Sequence, residues 1–151
     1  MSQNISGFGL VVSIIASQTF PIGVLINNWV DDTDPFDFPE LTIGDSAMTA
    51  NGQLVFWTSP KPIEVNLAVI PNSYSDIQLA ILLRNNTAGY NKSVANDVIT
   101  MTAIYPNNPE ATLVLSQGYM LKGMPATSMA SSARQKTKTY GFVFETISGG
   151  V

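Results

Sequence analysis

The 151-residue sequence predicts a mainly β fold, an antiparallel β-sandwich or barrel of about seven strands with one short α-helix at residues 75–85. Three observations lead there. Apolar and polar residues alternate at period two in several separate runs. Those runs are rich in β-branched and aromatic residues. Turn-forming groups such as Asn51-Gly52 and Asn107-Asn108-Pro109 stand between them. No internal repeat or linker divides the chain, so residues 1–151 read as a single domain.

Taken in order, residues 10–17 and 22–30 are expected strands flanking the turn-forming QTFPIG. Residues 53–58 follow the Asn51-Gly52 turn. In residues 62–70, Ile63, Val65, Leu67 and Val69 fall on one face and Glu64, Asn66 and Ala68 on the other, the pattern of a half-buried strand. Residues 97–105, 112–116 and 139–147 complete the set, with Gly118 read as a turn. Residues 75–85, SDIQLAILLRN, break the alternation. Ser75 and Gln78 have the spacing of a capping box, and Ile77, Ala80, Ile81 and Arg84 share one side at helical spacing. The remaining leucines make this helix apolar most of the way round, so cover on more than one side is expected. Residues 85–96 form a polar loop and 126–138 a Ser/Thr/Ala/Lys connector.

Charge is the unusual quantity. Charged residues make up 12% of the chain, against about 25% in an average globular protein, while the hydrophobic share is an ordinary 45%. Few charges remain to cover a surface, which points to one that faces other proteins or further copies of the same chain. The net charge of −4 is unevenly spread. Asp31, Asp32, Asp34, Asp37, Glu40 and Asp45 supply six of the eleven acids, and Arg134, Lys136 and Lys138 three of the seven bases. A chain with one acidic loop and one basic segment can bind its own kind head to tail.

The sequence contains no histidine and no cysteine. Ser-His-Asp and Cys-His nucleophile systems, ordinary zinc sites and thiol redox chemistry are therefore outside its reach. The absence of disulfides suits a reducing cytoplasm. The longest apolar run, residues 10–16, falls far short of the ~20 residues of a membrane span, so a soluble, unexported protein is expected. The basic cluster lacks interleaved aromatics and belongs to an acidic chain, a poor base for nucleic-acid binding.

The stretch VDDTDPFDFPE, residues 30–40, holds five acids and two prolines in eleven residues within an extended acidic loop, 31–50. A pair of catalytic carboxylates needs two opposed walls, which one crowded loop does not supply, so no enzymatic activity is expected. Asp32 and Asp34 could contribute to a calcium site, yet the alternating ligands, central glycine and terminal glutamate of an EF-hand are missing. No metal or cofactor is expected. Trp29 and Trp57 read as core or interface anchors.

Taken together, ISGFGLVVSIIASQTFPIGV, DDTDPFDFPEL, GQLVFWTSPKPIEVNLAVIP, NDVITMTAIYP and GMPATSMASSARQKTKTYGFVFE resemble the tail tube protein of contractile-tailed bacteriophages across nearly the whole chain. The resemblance implies packed β-sheets flanked by a helix. Six copies would close into a ring, and rings would stack into a tube that carries the genome during ejection. It implies self-association, with sheath, baseplate and tape measure proteins as partners, transient passage of DNA, and a place in the virion after assembly in the host cytoplasm. The loop after the second strand would reach the adjacent ring. Asp31, Asp32, Asp34, Pro35, Phe36, Asp37, Glu40 and Asp45 would then be contact residues, meeting Arg134, Lys136 and Lys138 of a neighbour. Glu64 and Asn66 are candidates for the lumen wall, where an anionic field would let DNA slide. Alternatives are a ring-forming baseplate or terminator protein, the tube of a phage-derived injection system, and a monomeric calcium- or carbohydrate-binding β-sandwich.

Overall fold

In the computed structural model, which describes residues 5–150, the alternating runs become paired strands. In chain order they are β1 (Val11–Ala16), β2 (Phe20–Ile26), β3 (Phe36–Asp37), β4 (Gly44–Met48), β5 (Leu54–Thr58), β6 (Ile63–Val69), helix α1 (Tyr74–Asn85), β7 (Ile99–Ile104), β8 (Leu113–Gly123) and β9 (Lys138–Gly149). Seven strands form one antiparallel, curled sheet in the order β2-β1-β7-β8-β9-β6-β3. The fold is mainly β with one helix, as the alternation predicts, and takes the shape of a half-barrel. The hydrophobic face of the curl wraps its own core. Val12 and Ile14 of β1, Val65 and Leu67 of β6, Met101 of β7 and Phe142 of β9 are all 2% exposed or less. Their in-facing, out-facing alternation is what period two dictates.

Helix α1 lies against β2 and β8 and fills the hollow of the curl. Twelve residues make a marginal helix in isolation, so packing must hold it. Burial of Leu79 and Leu82 contributes roughly 2 kcal/mol each. On the side shared by Ile77, Ala80, Ile81 and Arg84, Ile77 is 49% exposed; the buried stripe is Ser75, Asp76, Leu79 and Leu82. The predicted cap is also displaced. Ser73 is the N-cap, its Oγ accepting from Asp76 N at 3.3 Å, while Asp76 Oδ2 accepts from Asn72 N at 2.8 Å. Ser75 is occupied elsewhere. Its hydroxyl donates to Asn28 Oδ1 at 2.9 Å and accepts from Asn27 N at 3.1 Å. That exchange draws residues 27–28 off the sheet, which is why β2 ends at Ile26 and not at residue 30.

Strand β8 runs five residues past the point where Gly118 suggests a turn. A Cβ on Gly118 would stand 2.2 Å from the Phe144 ring, so glycine here makes room for a core aromatic on β9. Gln117, with φ of 56°, forms the bulge beside it.

Two buried carboxylates fasten the layers. Asp97, 1% exposed, accepts from Gln18 N (2.6 Å), Thr19 N (2.9 Å), Thr19 Oγ1 (2.5 Å) and Asn86 Nδ2 (2.8 Å). Burial alone would raise its pKa, but those hydrogen bonds from Thr19, Asn86 and Gln18 together outweigh it and hold the carboxyl below its ordinary value. One side chain thus ties the β1–β2 turn, the end of α1 and the entry to β7. Asp76 accepts from Tyr140 Oη at 2.8 Å and lies 3.7 Å from Lys138 Nζ. Burial, with the bond to Asp76 added, pushes the Tyr140 phenol far above its ordinary range.

Candidate assembly surface

The acidic stretch is anchored by its apolar residues and prolines, which free its acids for the surface. Pro35 O accepts from Ala68 N at 2.8 Å, and Phe36 pairs with Leu67 of β6. The Phe36 ring meets Trp29 edge-on at 6.4 Å and Phe38 at 5.1 Å. Trp29 is held in turn by its indole N–H, which donates to Leu10 O at 2.8 Å. Trp29 is therefore a partly buried anchor under the acidic stretch.

The acids divide into two groups. Asp31 forms an ion pair with Arg134 at 3.1 Å, and Asp32 accepts from Thr137 Oγ1 at 2.7 Å. The hydrogen bond and charge of Arg134 hold the Asp31 carboxyl below its usual range. The acidic and basic segments are thus brought together within one chain. Asp34 and Asp37 border a hollow with Asn66 and Lys122, and Glu40 borders another with Lys61 and Glu64. Among the described residues, Asp34, Asp37 and Glu40 form no ion pair. Lys136 is exposed, but Lys138 is not available as a surface contact: it is 4% exposed and turned inward to Asp76. The alternation of β9 determines this, since Lys138 shares the inward side with Tyr140 and Phe142. Glu64 and Asn66 share the side of β6 opposite Val65 and Leu67, Glu64 exposed and Asn66 half-buried. Among the described residues no group of three or more acidic ligands is placed to hold a metal ion, and no helix is long and apolar enough to cross a membrane.

Beyond the acidic stretch, the predicted loop becomes an arm. Strands β4 and β5 pair from Gly44↔Thr58 to Met48↔Leu54, closed by a turn in which Gly52 takes φ of 83°. Every residue of β5 is exposed. Val55 and Trp57 lie on one face of the ribbon, Leu54 and Phe56 on the other, the last 73% exposed. Ile43 and Met48 are each 65% exposed. In sequence, residues 53–58 read as a strand, and GDSAM has too few β-formers to read as a strand at all. Only Asn51-Gly52 marks the hairpin. A two-stranded ribbon is marginal in water by itself, and apolar residues on both faces mark it as a contact element.

Two further features complete the surface. Among the described residues β2 has no strand beyond it, while at the other end of the sheet β6 is covered from Asn66 to Ile70 by β3, by Pro35 O on Ala68 N, by a Trp29–Val69 bridge and by Asn28 O on Ile70 N. At the root of the arm an open groove of about 360 Å³ is lined by Pro60, Pro62, Tyr119, Val143 and Phe144, with Lys61 and Glu145.

Comparison with known proteins places this architecture. The family model described as tail fiber protein gp32 matches residues 3–148, and the chain belongs to that family. No curated protein matches. Among solved structures, a chain of the sheath/tube terminator of the extracellular contractile injection system PVC, in its extended state, is similar at a TM-score of 0.59 and 10% identity, covering 99% of both chains. A chain of the anti-feeding prophage baseplate, 6-fold symmetrised, gives 0.58 and 12%, covering 99% of this chain and 97% of the other. The tube-terminating cap of the anti-feeding prophage gives 0.52 and 8%, covering 100% and 93%. At these identities the likeness is one of fold. A phage-like tail component is what the family and these neighbours support.

Proposed function

We propose that this member of the tail fiber protein gp32 family is a non-enzymatic structural component that closes into a ring at the end of a contractile tail or related injection machine, in the manner of a terminator, cap or baseplate protein. The observation that carries this reading is the arm, whose two apolar faces find no cover among the described residues. An assembly element of this kind explains why only 12% of residues are charged. A half-barrel whose β2 edge is unpaired among the described residues suits side-by-side repetition, since strand addition at an edge satisfies unpaired backbone groups. The 6-fold symmetry of the matched baseplate favours six copies. Asp34, Asp37 and Glu40 then face a neighbour, and tail sheath and tube proteins are the partners above and below.

The tail tube itself would share this ring and stack it without limit. The end-of-tube role is preferred because the fold matches span terminator, baseplate and cap chains over nearly their full length. Electron microscopy of the purified protein over a concentration series tests the proposal. Rings or short stacks are expected. Long hollow tubes would restore the tube reading, and small particles at every concentration would count against both.

A further inference from the structure

The proposed ring leaves open what covers the arm, and the surface of the chain itself offers a complementary site. On one face of the arm, Trp57 lies directly across from Asp45, the only charged residue in β4 and β5. The Trp57 indole N–H has no acceptor within the described chain, unlike that of Trp29. This face therefore presents a large apolar ring, a hydrogen-bond donor and one negative charge. The groove at the arm's root presents the counterparts. Pro60, Pro62, Tyr119 and Val143 give it apolar walls, Lys61 sits between the two prolines, and Glu145 supplies a carboxylate. Lys61 also borders the hollow of Glu40 and Glu64, but pairs with neither.

We propose that this groove receives the arm of a second copy: Trp57 enters between the prolines and Tyr119, its indole donates to Glu145, and Asp45 meets Lys61. The inference rests on the ring reading above and names the contact that closes it. Pro60 follows the last residue of β5 by only two positions, yet no residue of β4 or β5 lines the groove. The arm does not cover its own root, so the occupant comes from another molecule. Arm and groove are different surfaces, and a contact between different surfaces repeats around a ring or along a filament instead of stopping at a dimer. Trp is also the residue type in which interface energy most often concentrates.

The chain has no cysteine, which permits a direct test. Ala47 shares the Trp57 face of the arm and Tyr119 lines the groove; both are exposed, so Ala47→Cys and Tyr119→Cys should leave the fold intact. Under mild oxidation, a mixture of the two variants should give a disulfide-linked heterodimer that neither gives alone. In parallel, Asp45→Lys and Lys61→Asp should each weaken self-association about fivefold, and both together in one chain should restore it. Rings that form without the mixed crosslink, or that crosslink only through Ala47→Cys to itself, would overturn the arm-in-groove contact and leave the ring standing. Failure of the unmodified protein to assemble would overturn both.

Discussion

Replacing Asp97 tests whether one buried carboxylate fixes the edge of the sheet. Asp97→Ala removes the acceptor for Gln18 N, Thr19 N, Thr19 Oγ1 and Asn86 Nδ2 at once. Hydrogen bonds to a charged group contribute roughly 1.5–3 kcal/mol each, but bonds sharing one acceptor are not additive. A loss of about 3–5 kcal/mol is expected, near the upper end for single substitutions. With a urea m-value of about 2 kcal/mol per M, the unfolding midpoint should fall by about 2 M. Acidity gives a second handle. Because folding holds the carboxyl below its ordinary value of 3.8, the unfolded chain takes up the proton first. The Asp97 contribution is therefore complete above that value and disappears as the pH falls through the folded pKa. The stability of the unaltered protein should drop in this acid range, and Asp97→Asn should flatten that part of the curve. Since Gln18 and Thr19 form the turn into β2, hydrogen exchange in residues 20–26 should rise in Asp97→Ala before the rest of the sheet. A loss under 1 kcal/mol would refute the reasoning.

Substitutions at three other places probe separate layers. Gly118→Ala sets a methyl against the Phe144 ring at 2.2 Å and should cost about 1–3 kcal/mol, read as a fall of several degrees in melting temperature. Asp76→Ala strands Lys138 in the core and should cost about 3–5 kcal/mol, whereas Asp76→Leu with Lys138→Met should recover much of that loss in urea titrations. Asp34→Asn, Asp37→Asn and Glu40→Gln together should leave the melting temperature unchanged but weaken self-association at low salt and not at high salt, as sedimentation would show.

The sheet was legible because burial on one face imposes period two. Ile63, Val65, Leu67 and Val69 all lie on the predicted side, and the predicted strands around β1, β6, β7 and β9 differ from the observed ones only at their ends. What escaped reading depended on distant partners. The inward side of α1 was set by Asp76 meeting Tyr140 and Lys138, more than sixty residues away. The span of β8 turned on an aromatic that only the folded sheet brings to Gly118. The acidic stretch was visible as a surface feature, but its pairing with Arg134 and Thr137 in the same chain was not. The arm was half legible. Apolar alternation marks strands that bury a face, and β5 is apolar on both faces and buries neither.

Self-assembly through the arm is tested by mass photometry and negative-stain microscopy of the unaltered protein beside Phe56→Ser/Trp57→Ser, over the same concentration series. Both side chains are exposed, so the variant should fold with the same melting temperature. Self-assembly through the arm gives rings from the unaltered chain and monomers from the variant. Rings of equal size and stability from both would contradict it.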